Sequence, residues 1–306
     1  MKKSLFLLLL CMMTSVLPAQ KKMYVWVNEV PTEYSVQDVD SITFADALPE
    51  PQPEPLPEPL PGEFSISADK QVQFSRGNLQ YTQSTQTWAF AAQQYETLGA
   101  ANVANGALAD KIDLFGWSGS TATAKWGIST STSSTADYSG DFADWGQNIG
   151  DGTTWRTLTR DEWDYVCNTR PNASALKGVA RINLTEDGSE YVNGLILLPD
   201  NRQVPEDAMF KSGFASSCSI QEYADYQTFT LEEWSKLEQA GAVFLPASGK
   251  RYGTYVEDVG TRGSCWSASP YNETYAWHLY FYSNGAEMNF GDGRRYGRAV
   301  RLVQDL

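Results

Sequence analysis

The chain has 306 residues, a formal net charge of −14, a single histidine and 13% aromatic residues. So acidic a balance repels nucleic acid and anionic lipid, which excludes partners of those classes. No stretch beyond the leader reaches the ~18 uninterrupted apolar residues of a membrane helix, and three cysteines after the leader cannot all pair within one chain, so a disulfide framework is excluded as well.

Residues 1–19 begin with Lys2 and Lys3, pass through the apolar run Leu5 to Leu10 and close on Leu17-Pro18-Ala19, the pattern of a cleaved signal peptide. The mature protein is therefore expected to be secreted or held at the cell surface. Residues 20–47 carry MYVWV and YSVQDVDSITF, which read as two or three short strands. A module of that size buries too little surface to fold unaided, so it is expected to dock on the rest of the chain or on a surface-assembly partner. Residues 48–62, LPEPQPEPLPEPLPG, place proline at every second position, which forbids helix and favours an extended acidic spacer.

Residues 63–306 are long enough for one large domain. In LTRDEWDYV, Thr159 and Glu162 have the spacing of a capping box, with Leu158 and Trp163 placed to pack across it. FTLEEWSKLEQAG repeats the device with Thr230, Glu233, Phe229 and Trp234, and Gly241 is the stop signal. Leu195-Ile196-Leu197-Leu198 and Ala242-Val243-Phe244-Leu245 read as buried strands. Helices, short strands and long loops in this order predict an α+β domain. Cys167 reads as a small buried hydrophobe within a helix, while Cys218 and Cys265 lie in or beside loops and one pairing is open to them. Asp151-Gly152, Asp187-Gly188 and Asp292-Gly293 read as turns.

The last forty residues are aromatic and rich in Asn, Asp and Gly. Within them Trp277, Leu279 and Phe281 alternate with His278, Tyr280 and Tyr282, the pattern of a strand with one anchored and one displayed face. Tyr271, Asn272, Tyr275, His278, Tyr280, Tyr282, Asn289, Asp292, Arg294 and Tyr296 are the candidate ligand contacts. Trp266, Ser267, Trp277, Leu279, Phe281, Gly297, Val300 and Leu302 are read as scaffold. Arg294, Arg295, Arg298 and Arg301 make this end locally basic, and solvation of a strand edge or rim is a simpler reading of them than an anion site.

WRTLTRDEWDYV, NGLILLPD, EEWSKLEQAGAVFLPASGKRYGT, CWSASPYNETYAWHLYF and RRYGRAVRLV together resemble secreted bacterial proteins of C-type-lectin-like fold, related to the formylglycine-generating, sulfatase-modifying domain. The resemblance implies two short helices flanking a small antiparallel sheet with long loops, and a C-terminal strand pairing near the N-terminal one. The N-terminal β segment and the proline-rich linker would precede this domain. Several members of that family are variable proteins of diversity-generating retroelements, in which adenine-containing codons near the C-terminus are rewritten on a fixed scaffold.

The formylglycine-generating relatives use a closely spaced cysteine pair near the C-terminus, whereas RRYGRAVRLV has none and Cys265 stands alone. One histidine and no G-x-S-x-G elbow argue against a serine hydrolase, and too few His and Cys stand at ligand spacing for zinc. Sugar-binding calcium motifs of true C-type lectins do not occur, and GDGRRYG is not a nucleotide fingerprint. No enzyme activity or cofactor is therefore expected, and of metals only a structural calcium in the oxygen-rich loops stays open. The leading reading is a binding protein for a protein or glycan ligand; a structural subunit of a surface assembly and a divergent enzyme are the alternatives.

Overall fold

A computed structural model describes residues 21–27, 30–36, 58–121, 123, 125–133, 137–200 and 209–306. The leader, residues 37–47 of the N-terminal module and most of the proline-rich spacer lie outside the described residues. The chain divides into two units, Met1–Glu54 and Pro55–Leu306.

In the first unit, Lys22–Val27 and Val30–Ser35 form an antiparallel hairpin. Tyr24 stands opposite Glu33 and donates its hydroxyl to it at 3.0 Å. Tyr24, Val25, Val30 and Tyr34 are all exposed.

The second unit is built from small sheets. The C-terminal strand Leu302–Asp305 lies between Arg156–Thr157 and Gln71–Phe74, and Phe64–Ser65 extends that sheet to four strands. Val303 pairs with Phe74, so the chain's end closes on the beginning of the unit. A second four-stranded sheet runs Thr228–Phe229, Lys177–Asn183, Tyr191–Leu197, Val243–Pro246. Its centre is the pair of apolar runs seen in the sequence, with Leu195 facing Leu245 and Leu197 facing Val243. Both runs are buried, because each strand is covered on its two faces.

Both capping boxes are present. The Thr159 hydroxyl accepts from the Glu162 amide and Glu162 accepts from the Thr159 amide at the start of Arg160–Asp164. Thr230 and Glu233 do the same at Leu231–Gln239. Leu158 and Trp163 enter one core cluster, Phe229 and Trp234 another.

The α+β, C-type-lectin-like expectation is corrected by the strand content. Strand makes up 39% of the structure and helix 16%, in many small antiparallel sheets, so the fold is mostly β. The caps mark helix starts but not lengths: the first helix runs five residues before passing into a π-helical turn, Tyr165–Thr169, and the second runs nine. Segments rich in Thr, Tyr and Gly that read as loops pair instead as short strands, many of two to four residues.

Three of the four C-terminal arginines are also not rim groups. Arg294, Arg298 and Arg301 are buried. Arg301 donates to the carbonyls of Ser75 and Phe244, and its burial lowers its pKa to about 10. Main-chain oxygens thus take two of its donors in place of an ion pair, while Glu238 acts on its charge from further away and its Nε has no partner among the described residues. Cys265 lies in the strand Arg262–Pro270 and, like Cys167, is free and buried in the main core. Cys218 is free and exposed, so Cys218 and Cys265 are unpaired. Gly152 and Gly188 do occupy turns, with Asp151 and Asp187 accepting from the amides two residues on. Asp292-Gly293 instead ends a strand, and the turn falls on the next two residues.

Candidate functional site

The site grows from a two-residue turn. Ser283 and Asn284 join the strand Tyr275–Tyr282 to Gly285–Gly293, with Tyr282 paired to Gly285. On its other edge Tyr275–Tyr282 pairs with Arg262–Pro270, which completes a three-stranded antiparallel sheet. Period-two alternation sends Leu279 and Phe281 into the main core and turns His278, Tyr280 and Tyr282 to the opposite face. Each such fully buried side chain contributes roughly 1.5–3 kcal/mol, which holds the displayed face in place. Gly263 lies across from Phe281, and a Cβ there would come within 2.0 Å of the ring, so the ring covers a position that only glycine can fill.

The outer pairing slips once. Between Tyr280 opposite Glu287 and His278 opposite Phe290, two steps along the middle strand match three along the outer one, a β-bulge around Met288 and Asn289. Met288 therefore packs in the core, while Phe290 and Asp292 come to the face that carries His278 and Tyr280.

Together these residues line a pocket of about 630 Å³. Its aromatic wall is Tyr280, with ring centroids 5.4 Å from Tyr282 and 5.6 Å from Phe290, both edge-on. Asn284 and Cys218 lie at its margin. Each charged group in the lining already has a partner: Lys250 pairs with Glu257 at 3.1 Å, Arg262 with Asp258 at 3.3 Å, and Asp292 with the buried Arg298. Arg298 also donates to the Ser264 hydroxyl at 2.7 Å.

His278 forms the inner wall at 2% exposure, edge-on to Trp266 and Tyr280. Burial, reinforced by the nearby Arg298 charge, holds its pKa well below 6.5, so the ring is neutral at pH 7. Among the described residues its Nδ1 is buried with no hydrogen-bond partner, and the same is true of Arg262 Nε. Unmet polar atoms around a pocket are a cost that a ligand or water removes on binding.

Four of the ten sequence-predicted contacts, His278, Tyr280, Tyr282 and Asp292, meet in this pocket. Tyr271, Asn272 and Arg294 lie instead around a separate cavity of about 470 Å³. There Arg294 is buried, stacked on Trp117 and donating to the carbonyls of Tyr138, Gly140 and Asn272, so it ties loops together and has little left to offer a ligand. The Asn272 carboxamide is likewise engaged, accepting from the Thr274 and Tyr275 amides. Tyr275 is exposed near Tyr271. Asn289 accepts from Arg160 at 3.4 Å, and Arg160 covers Trp277, so Asn289 belongs to the face opposite His278. Tyr296 packs on Tyr252, beside Lys250 but outside the pocket lining. Trp277, read as scaffold, is only half-buried, under Tyr271 and Arg160.

Residues 224–303 match a domain of unknown function, DUF8237. The matched span is about a quarter of the chain and includes the whole three-stranded sheet and every pocket-lining residue except Cys218. No curated protein and no solved structure matches the chain.

Lys250, Arg262, Asn284 and Phe290 were not singled out from sequence. The signal for Phe290 was there: Ser283-Asn284-Gly285 between two strand-like runs is hairpin-turn chemistry, and folding the chain back at that point brings Phe290 near His278. Lys250 and Arg262 reach the pocket from other segments, and no local pattern marks them. Among the described residues no group of His, Cys, Asp and Glu could hold a metal ion, and no helix is long and apolar enough to cross a membrane.

Proposed function

We propose that this chain is an exported ligand-binding protein and that the pocket on its C-terminal three-stranded sheet is the binding site. The observation that carries the reading is the convergence of His278, Tyr280, Tyr282 and Asp292 with Phe290 around one cavity of a size typical for small-ligand sites, roughly 300–1,000 Å³. Support for export comes from the leader pattern of residues 1–19. Support for binding over turnover comes from the two buried thiols, which burial pushes up to about 11 at Cys167 and about 12 at Cys265, where a reactive thiolate is scarce.

A thermal-shift screen of the whole chain against small polar compounds, glycans and peptides tests the reading. A compound that raises Tm for the native sequence but not for the Tyr280→Ala, Phe290→Ala double variant supports it. Compounds that shift both proteins equally bind elsewhere and count against it.

One observation favours a second role. A two-stranded hairpin is marginal in water, and Tyr24, Val25, Val30 and Tyr34 are exposed on the hairpin of the first unit. We propose that this module docks the protein in a surface assembly. Loss of residues 21–36 should then abolish co-purification with the cell envelope while leaving ligand-induced Tm shifts intact.

A further inference from the structure

We infer that the pocket takes a neutral saccharide, bound without a metal ion by ring stacking on Phe290 and Tyr280 and by hydroxyl groups that meet the polar lining. This rests on the binding-site reading above and names its ligand class.

Three features of the lining lead there. Lys250, Arg262 and Asp292 are each already neutralised by Glu257, Asp258 and Arg298. A ligand with a net charge of either sign finds no unpaired counter-charge and meets at least one like charge, and desolvating it brings no return. The polar groups on offer are of both kinds: the Asp292 carboxylate accepts, Arg262 donates, and the Asn284 amide does both. Among the described residues, His278 Nδ1, Arg262 Nε and Arg298 Nε around the pocket lack hydrogen-bond partners. A hydroxyl can donate and accept at once, so a polyol answers such a mixed set where a carboxylate or an ammonium answers half of it.

The aromatic wall supplies the rest. Phe290 is 47% exposed although it sits in the middle of a paired strand, and its ring lies 5.6 Å from that of Tyr280. The bulge that brings it there leaves an apolar ring facing solvent, which costs apolar burial unless a ligand covers it. A pyranose has one face of C–H groups and an edge of hydroxyls, which matches an aromatic wall beside a polar rim. A protein partner fits less well: a stable interface needs roughly 800 Å² from each side, whereas this is a concave cavity of about 630 Å³.

The test is a glycan array carrying neutral, sialylated and sulfated oligosaccharides, probed with the whole chain in buffer containing a chelator, followed by calorimetric titration of the best free glycan. The expected result is binding to neutral glycans, no gain from sialylation or sulfation of the same core, and no effect of the chelator. Phe290→Ala should weaken binding by about tenfold or more, as loss of an aromatic contact does, while Phe290→Trp retains it. Both variants should keep the unfolding midpoint of the native protein, since the ring is half in water. An array with no bound glycan, a preference for charged glycans, or binding unmoved by Phe290→Ala overturns the inference. If a peptide or other compound then binds in a Phe290-dependent way, the pocket remains a binding site and only the saccharide assignment falls.

Discussion

His278 and Phe290 face one another across paired strands, one 2% exposed and the other 47% exposed, so a single cross-strand pair spans the distance from core to solvent. The buried member has a cost that depends on pH. An unfolded chain takes up a proton at His278 near pH 6.5, while the folded chain resists until well below it. Stability tied to the neutral ring is therefore intact above pH 6.5. It declines as pH falls, by about 1.4 kcal/mol per pH unit until the folded pKa is reached. Because this is the only histidine, His278→Gln should flatten the loss of stability between pH 7 and pH 5 in urea unfolding. Parallel curves for the two proteins would show that the ring takes up its proton at the same pH folded and unfolded.

Asp292 and Arg298 form the pocket's most buried ion pair, with Arg298 at 2% exposure. Asp292→Ala strands a guanidinium in the core and should cost about 3 kcal/mol. Asp292→Asn keeps a hydrogen-bond acceptor and should cost less than half of that. Denaturant midpoints at constant m-value decide it; equal losses for the two variants would mean that charge is irrelevant at this position.

Gly263 is held to zero side-chain volume by the Phe281 ring. Gly263→Ala should destabilise by about 1–3 kcal/mol through overpacking, and Phe281→Leu in the same chain should recover part of the loss. Additive penalties would refute the contact.

The helix caps give a smaller and cleaner effect. Thr230→Ala removes the hydroxyl that accepts from the Glu233 amide and should cost about 1 kcal/mol. Thr230→Ser should be close to neutral. A loss of the same size in both would point to the methyl group, not the cap.

Thiol chemistry checks the core. Cys218 is exposed, whereas Cys167 and Cys265 are buried with their thiols pushed up to about 11 and about 12. Among residues 21–306, a thiol reagent should label Cys218 within minutes in the native protein and the other two only on unfolding. Rapid labelling of Cys265 would show that the sheet beneath the pocket opens readily.

What the sequence disclosed was local. Thr159 with Glu162 and Thr230 with Glu233 announce their helices because a cap is written in four adjacent residues. The alternation from Trp277 to Tyr282 puts His278, Tyr280 and Tyr282 on one face for the same reason, and those three pocket residues follow from it. The fold class did not follow, since small sheets made of two- to four-residue strands depend on partners distant in sequence, such as Val303 on Phe74. Arg294 misled because a long cation near an aromatic segment looks available, and only tertiary structure shows that three carbonyls from two loops already hold it. Asn289 misled by one position, the width of the bulge.

That one extra residue has a consequence for how this segment can change over time. Replacing a pocket-lining side chain such as Asn284 or Phe290 alters what the cavity presents and leaves the strand pairing as it is. Losing or gaining a residue away from the bulge would turn Asp292 to the reverse side and strip Arg298 of its partner, whereas losing the bulge residue itself restores regular pairing and leaves Phe290 opposite His278. The segment is open to revision in spelling, and to revision in length only at the bulge.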